Sequence, residues 1–279
     1  MRILIFILII GFFLTSCSNE KKQAIEKTPV LVDSLSQKFP SDFNGNWVLT
    51  DYINEIEKTK SPVKSSNKLE GVVAIIIGGN VKGDSLEVQA SWNNHEELNF
   101  YVYLNKQNKK TFKTNIVDYQ DKSNYYELGY EFIDKEAFLF LYHFNKTNEL
   151  LEKTQFSKVA DLSDNKKDVA WGLQYMVNDK LFTGSNLLID TENHASKLNF
   201  NPDGSLTGHP TFKTFHIFTD FMGEPNNNLD LISFNLATGR PTQFAFKIVN
   251  DTTYLYTTID NEEEGTSKIN KVKFKIVRQ

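Results

Sequence analysis

From Gly71 to Val277 the sequence is a succession of short apolar or alternating runs, and their spacing decides the fold class before any motif is considered. Val72 to Ile77 is nearly all β-branched, and Ser85 to Ala90 alternates. Leu98 to Leu104, Phe112 to Val117, Tyr125 to Ile133, Ala137 to Phe144 and Leu150 to Val159 follow, separated by Asn, Lys, Asp or Ser clusters. Strands of this length at even spacing, joined by tight polar turns, mark an antiparallel meander. Phe43-Asn44-Gly45-Asn46-Trp47-Val48-Leu49 adds a first strand, giving eight, enough to close a small barrel. One segment breaks the pattern. Thr50 to Glu57 places Ile53 and Ile56 three apart behind a capping Thr50 or Asp51, which predicts one short helix ended by Ser61-Pro62.

Asp161 to Asp168 is polar and patternless, and a domain boundary is expected there. A second set of strands is expected at Gly172–Val177, Leu181–Ile189, Lys197–Phe200, Leu206–Gly208, Phe212–Phe218, Leu229–Phe234, Thr242–Val249, Thr253–Ile259 and Ile269–Val277. Asn201-Pro202-Asp203-Gly204 is a strong turn signal and Asn250-Asp251 a two-residue hairpin loop. In the last strand Val272, Phe274 and Ile276 face inward, while Lys271, Lys273 and Lys275 face solvent. The expected fold is all-β: two consecutive antiparallel up-and-down meanders, with one short helix after the first strand. The 22 Phe and 11 Tyr residues point the same way, since aromatics favour strands.

Two segments carry a family resemblance. Lys197-Leu198-Asn199-Phe200-Asn201-Pro202-Asp203-Gly204-Ser205-Leu206-Thr207-Gly208 resembles a segment common in small lipocalin-like lipoproteins, and Phe43-Asn44-Gly45-Asn46-Trp47 resembles the opening of lipocalin-type barrels. The resemblance implies lipocalin-like barrels, often with a ligand cavity.

The N-terminus has a different logic. Met1-Arg2 precedes an apolar run from Ile3 to Leu14, the anatomy of a secretory signal peptide and shorter than the ~20 residues a membrane span needs. Leu14-Thr15-Ser16-Cys17 is similar to the lipobox of bacterial lipoproteins. That resemblance implies cleavage before Cys17 and acyl chains, palmitate among them, on that cysteine. Two or three chains anchor stably where one does not, at ~0.8 kcal/mol per buried CH2. Cys17 is the only cysteine, so the exported chain forms no internal disulfide and holds no nucleophilic thiol once lipidated. The expected organisation is a signal peptide over 1–16, a flexible tether over 17–38, and domains over 39–160 and 168–279. No aspartate follows Cys17, and outer-membrane placement is expected, on either face.

Loss of Arg2 with the signal peptide changes the formal charge from −4 to −5, which argues against nucleic acid as a partner. There is no G-x-S-x-G, P-loop, dinucleotide fingerprint, CxxC or HExxH, and no cofactor is expected. Four residues are carried forward as a ligand-binding set. His95 lies in Asn93-Asn94-His95-Glu96-Glu97, where adjacent carboxylates suit acid–base chemistry or binding, although five polar residues are also what a hairpin needs. Trp92 and Tyr101 belong to an aromatic group, with Tyr103, Tyr125, Tyr126 and Tyr130, able to stack a sugar or enclose an apolar ligand, or simply to fill the barrel. Glu127, with Glu131 across Gly129 on one strand face, could hold a cation or a hydroxyl, or face water. His216 and Asp220 are four apart, as metal ligands or as strand-end polar residues. The functional expectation is a non-enzymatic envelope protein binding a small apolar or glycan-like ligand or a protein partner. A structural or assembly role and a loop-borne hydrolase site are the alternatives.

Overall fold

The computed structural model describes residues 43–78, 81–103, 110–159, 168–221, 228–239, 241–261 and 266–279. The expectations for the signal peptide, Cys17, the tether and most of the linker lie outside the described residues. The chain builds two antiparallel sheets, and each follows sequence order around a ring.

The first comprises β1 (Gly45–Leu49), β2 (Val72–Ile77), β3 (Val81–Lys82), β4 (Ser85–Trp92), β5 (Glu96–Tyr103), β6 (Thr111–Lys113), β7 (Tyr125–Ile133), β8 (Glu136–Phe144) and β9 (Leu150–Lys158). β3 continues β2 along β4, so eight positions go round the barrel, and β9 pairs back onto β1. The second comprises β10 (Gly184–Asp190), β11 (Ala195–Phe200), β12 (Leu206–Thr207), β13 (Phe215–Ile217), β14 (Leu231–Phe234), β15 (Thr242–Val249), β16 (Thr252–Asn261) and β17 (Thr266–Arg278), with β17 pairing back onto β10. The all-β, up-and-down architecture expected from the spacing is therefore what the chain adopts.

Both barrels begin alike. Phe43 and Phe182 are buried, and each is followed two residues later by a glycine, Gly45 and Gly184, at φ +120° and +119°. Only glycine is at ease there, and the bend lets each phenylalanine turn under its own barrel. Phe43 stacks 5.5 Å from Trp47, whose indole Nε1 donates to the Phe43 carbonyl at 2.9 Å. Phe182 meets Phe200, Phe215 and Phe246 at 5.4–6.1 Å. The interiors are packed with side chains: Phe100, Phe112, Leu139 and Phe156 in the first barrel, Phe200, Phe234, Phe246 and Leu255 in the second.

Helix α1 (Thr50–Thr59) buries Tyr52, Ile53 and Ile56 on one face and ends where Lys60, at φ 55°, returns its N–H to the Ile56 carbonyl. A short helix α2 (Pro62–Ser65) follows, with Ser61 as its cap. A third helix, α3 (Val169–Leu181), replaces the strand expected over 172–177. The reason is a four-residue rhythm that a six-residue window conceals. Val169, Leu173, Val177 and Leu181 are all buried, and the Asp168 carboxylate accepts from Ala170 N at 2.9 Å. Gly172 lets α3 approach β1 closely, since a Cβ there would lie 3.3 Å from Asn46 Cβ and 3.5 Å from Val48 Cγ1.

α3 packs on α1, β1, β2 and β4 and reaches β13, so it is shared by both barrels. Polar contacts join them elsewhere. Val63 N donates to Asp230 Oδ1 at 2.8 Å, and Asn94 Nδ2 donates to the Thr219 carbonyl at 2.9 Å. Burial pushes the Asp230 carboxyl up, against the lowering by its bonds to Ser61 and Val63. Among the described residues no helix is long and apolar enough to cross a membrane.

Candidate ligand-binding cleft at the seam of the first barrel

The first barrel closes between β5 and β6, and it closes briefly. One bridge, Val102↔Thr114, joins the two. Next to it Asn115 N donates to the Tyr101 carbonyl at 3.3 Å, and the Asn115 side chain supplies the other partner, its Oδ1 accepting from Tyr101 N at 2.6 Å. An amide side chain thus stands where a neighbouring strand's carbonyl would be. Past Asn115 the chain leaves β5.

The divergence opens a cleft of about 150 Å³ lined by Trp92, Glu96, Glu97, Leu98, Asn99, Phe100, Asn115, Ile116, Val117 and Tyr119. Phe100 and Ile116 are buried at its floor, while Val117 and Tyr119 are 46% and 85% exposed at its mouth. Glu96 and Glu97 supply two carboxylates and Asn99 and Asn115 two amides; among the described residues no Lys or Arg lines it. The cleft is apolar below, amide-rimmed and electronegative.

The wall from Ile116 to Tyr119 is held by Asp118, which turns inward between two outward side chains. Its Oδ1 accepts from Gln120 N at 2.8 Å and Asp121 N at 3.1 Å, and its Oδ2 accepts from Asn124 Nδ2 at 2.8 Å. His143 Nε2 lies 3.0 Å from the same Oδ2, and its ring stacks on Tyr126 at 4.3 Å. These donors, the Asn124 amide foremost, hold the Asp118 carboxyl down at about 2 although burial works against them. Burial first, then the Asp118 and Glu152 carboxylates, push the Tyr126 hydroxyl up to about 12. A carboxylate engaged by so many donors is a loop anchor, and neither it nor His143 lines the cleft.

The four sequence-derived site residues separate. Trp92 lines the cleft. Tyr101 marks its closed end through its backbone. His95 turns toward the second barrel, its Nδ1 2.9 Å from Asp220 Oδ2, and that bond raises the pKa of the exposed imidazole. Glu127 stands on β7 between Lys113 of β6 and Tyr142 of β8, apart from the cleft lining. Its companion Glu131 accepts from Tyr142 Oη at 2.8 Å and Lys153 Nζ at 2.7 Å. His216 lies opposite Ser233 of β14, and its neighbour in sequence Asp220 serves His95 instead.

Residues that single-strand reasoning missed are Leu98, Ile116, Val117 and Tyr119, which become a site only once two strands part. The available signal was Asp118 within Asp118-Tyr119-Gln120-Asp121, a side chain suited to bond backbone N–H groups just ahead of it. Among the described residues, no group of three or more His, Cys, Asp or Glu is placed to hold a metal ion. No protein-family model, curated protein or solved structure matches the chain.

Proposed function

We propose that this chain is a lipid-anchored protein of the bacterial envelope, attached through Cys17 to the outer membrane. In this reading its first barrel is a non-enzymatic binding module that takes one ring of a larger ligand, a sugar or an apolar side chain, into the seam cleft. The cleft carries the proposal. A cavity of about 150 Å³ is the size that accepts a benzene ring, whereas whole small-molecule ligands occupy sites of ~300–1,000 Å³. The phenylalanines packed through both interiors support a ligand held at the surface rather than enclosed in a calyx. Glu96 and Glu97 are both exposed, which suits polar contacts to a ligand better than proton transfer in a water-excluded site.

The binding reading is tested by titrating the full chain, in detergent, with benzyl alcohol and with methyl β-glucoside while recording amide NMR spectra. Saturable shifts confined to Leu98, Ile116, Val117 and the Trp92 indole, at least tenfold weaker in Trp92→Ala, are expected for one of the two. Shifts scattered over both barrels, or none with either probe, would refute it. The anchor is tested separately by Cys17→Ser, which is expected to leave the membrane fraction; a variant still membrane-bound and still processed after Ser16 would refute lipidation.

A further inference from the structure

β5 is paired on one side throughout and on the other side only at its end. It pairs with β4 continuously from Ser85↔Tyr103 to Trp92↔Glu96. Along an antiparallel strand, successive residues direct their N–H and C=O alternately to the two neighbours. Tyr101 fixes the phase, because its N–H and C=O both meet Asn115, on the side away from β4. Asn99 and Glu97 share that phase, so their backbone groups also face the seam. Among the described residues nothing pairs with them there, and the cleft opens alongside both. An unpaired strand edge beside an apolar hollow is a template for another strand.

We infer that the seam is a strand-docking site for an extended peptide of a partner protein. The peptide runs along β5, exchanges main-chain hydrogen bonds with Glu97 and Asn99, and sets one apolar side chain against Trp92, Leu98 and Ile116. This rests on the binding role proposed for the cleft and names the class of partner. Three observations select a peptide over a free sugar. The edge offers donors and acceptors at strand spacing, which only another backbone matches in register. The hollow holds one ring, the share of a single anchoring side chain. The lining carries two carboxylates and, among the described residues, no cation, so Lys or Arg beside the anchor is favoured.

The test is a methylation scan on the full chain in detergent. The probe is acetyl-Lys-Thr-Phe-Thr-Lys-amide, compared with five versions, each N-methylated at one residue's amide. Strand docking predicts saturable binding of the parent, loss of at least tenfold on methylating alternate amides, and little change at those between. It also predicts that amide exchange at Glu97 and Asn99 slows when the parent peptide is bound. Equal binding by all six peptides overturns strand docking and leaves a side-chain pocket. Saturation by methyl β-glucoside with no binding of the parent peptide overturns it in favour of a glycan. If benzyl alcohol and methyl β-glucoside also fail to bind, the cleft reading falls with it.

Discussion

The two barrels share a plan and differ at one place. Each opens on a buried Phe and a glycine near φ +120°, sets eight strand positions in sequence order, pairs last strand to first, and closes its remaining gap through a single isolated bridge. In the second barrel that bridge, Ser205↔Thr214, is flanked by backbone bonds on both sides: Leu206 N to the Lys213 carbonyl and Phe215 N to the Gly204 carbonyl, each 2.8 Å. Gly204 permits this, at φ +84° and with the Phe215 carbonyl 2.9 Å from where a Cβ would be. Phe200, Phe215, Phe212 and Phe234 then form a chain of ring contacts behind the seam at 4.4–6.5 Å. In the first barrel a side-chain amide takes one backbone role, the strands part, and a cleft remains. Topology makes the barrel, but the residue at the last rung decides whether its seam is sealed or left open.

That contrast can be broken at several points, and the largest effect belongs to the sealed barrel. Phe234→Ala empties a fully buried position and is expected to cost about 3–5 kcal/mol in denaturant unfolding. Val117→Ala, at the cleft mouth, is expected to cost less than about 0.5 kcal/mol. Near-equal losses would mean that the cleft is as much core as the second barrel's interior. Gly204→Ala forces an alanine into a left-handed conformation against the Phe215 carbonyl. A loss of about 1–3 kcal/mol is expected, with faster amide exchange at Leu206 and Phe215; unchanged exchange would show that the glycine does not govern closure.

Asp118→Asn is a smaller change, about 1–2 kcal/mol, because the cleft wall keeps its other bonds. Its pH signature is sharper. Asp118 is held below the ~4 of a free aspartate, so its contribution is complete above that value and is lost as pH falls toward about 2. Ring binding should fade over the same interval in the wild type and show no such step in Asp118→Asn. An identical acid profile in the two proteins would remove Asp118 from the role of wall anchor. The smallest effect is at His95. Its raised pKa means that the contact with Asp220 strengthens the fold below ~6.5 and loses that contribution as pH rises through the folded value. Both groups are half exposed and screened, so His95→Ala should remove only a slight pH dependence from the melting temperature near neutrality. A pronounced one that survived in the variant would have to come from another group.

The strands were legible in the sequence because alternation and turn residues are local properties. Phe112, Leu128 and Leu139, each on such a run, are buried in the first barrel. α3 was hidden because Gly172 to Val177, read alone, suits a strand as well as a helix, and the decisive spacing runs from Val169 to Leu181. The site was half legible. Trp92 was one of six clustered aromatics in the sequence, and it lines the cleft. Four of its partners, Asn115, Ile116, Val117 and Tyr119, come from the far side of the β5–β6 seam, and no local pattern says that Asn115 will substitute for a strand. His95 failed as a cleft residue for a related reason, since its partner Asp220 is 125 residues away and belongs to the other barrel. The Phe-x-Gly pair at 43–45 and 182–184 was visible in the sequence all along, and it gains meaning only from the φ angles.

Amide hydrogen exchange on the ligand-free full chain tests most directly whether one seam is open and the other sealed. Glu97 and Asn99 should exchange orders of magnitude faster than Leu98 and Phe100, whose amides face β4 on the same strand, while Leu206 and Phe215 at the second seam should be protected. Protection of Glu97 and Asn99 equal to that of their β5 neighbours would show that the first barrel is sealed too, and would leave neither an edge nor a cleft for a ligand to use.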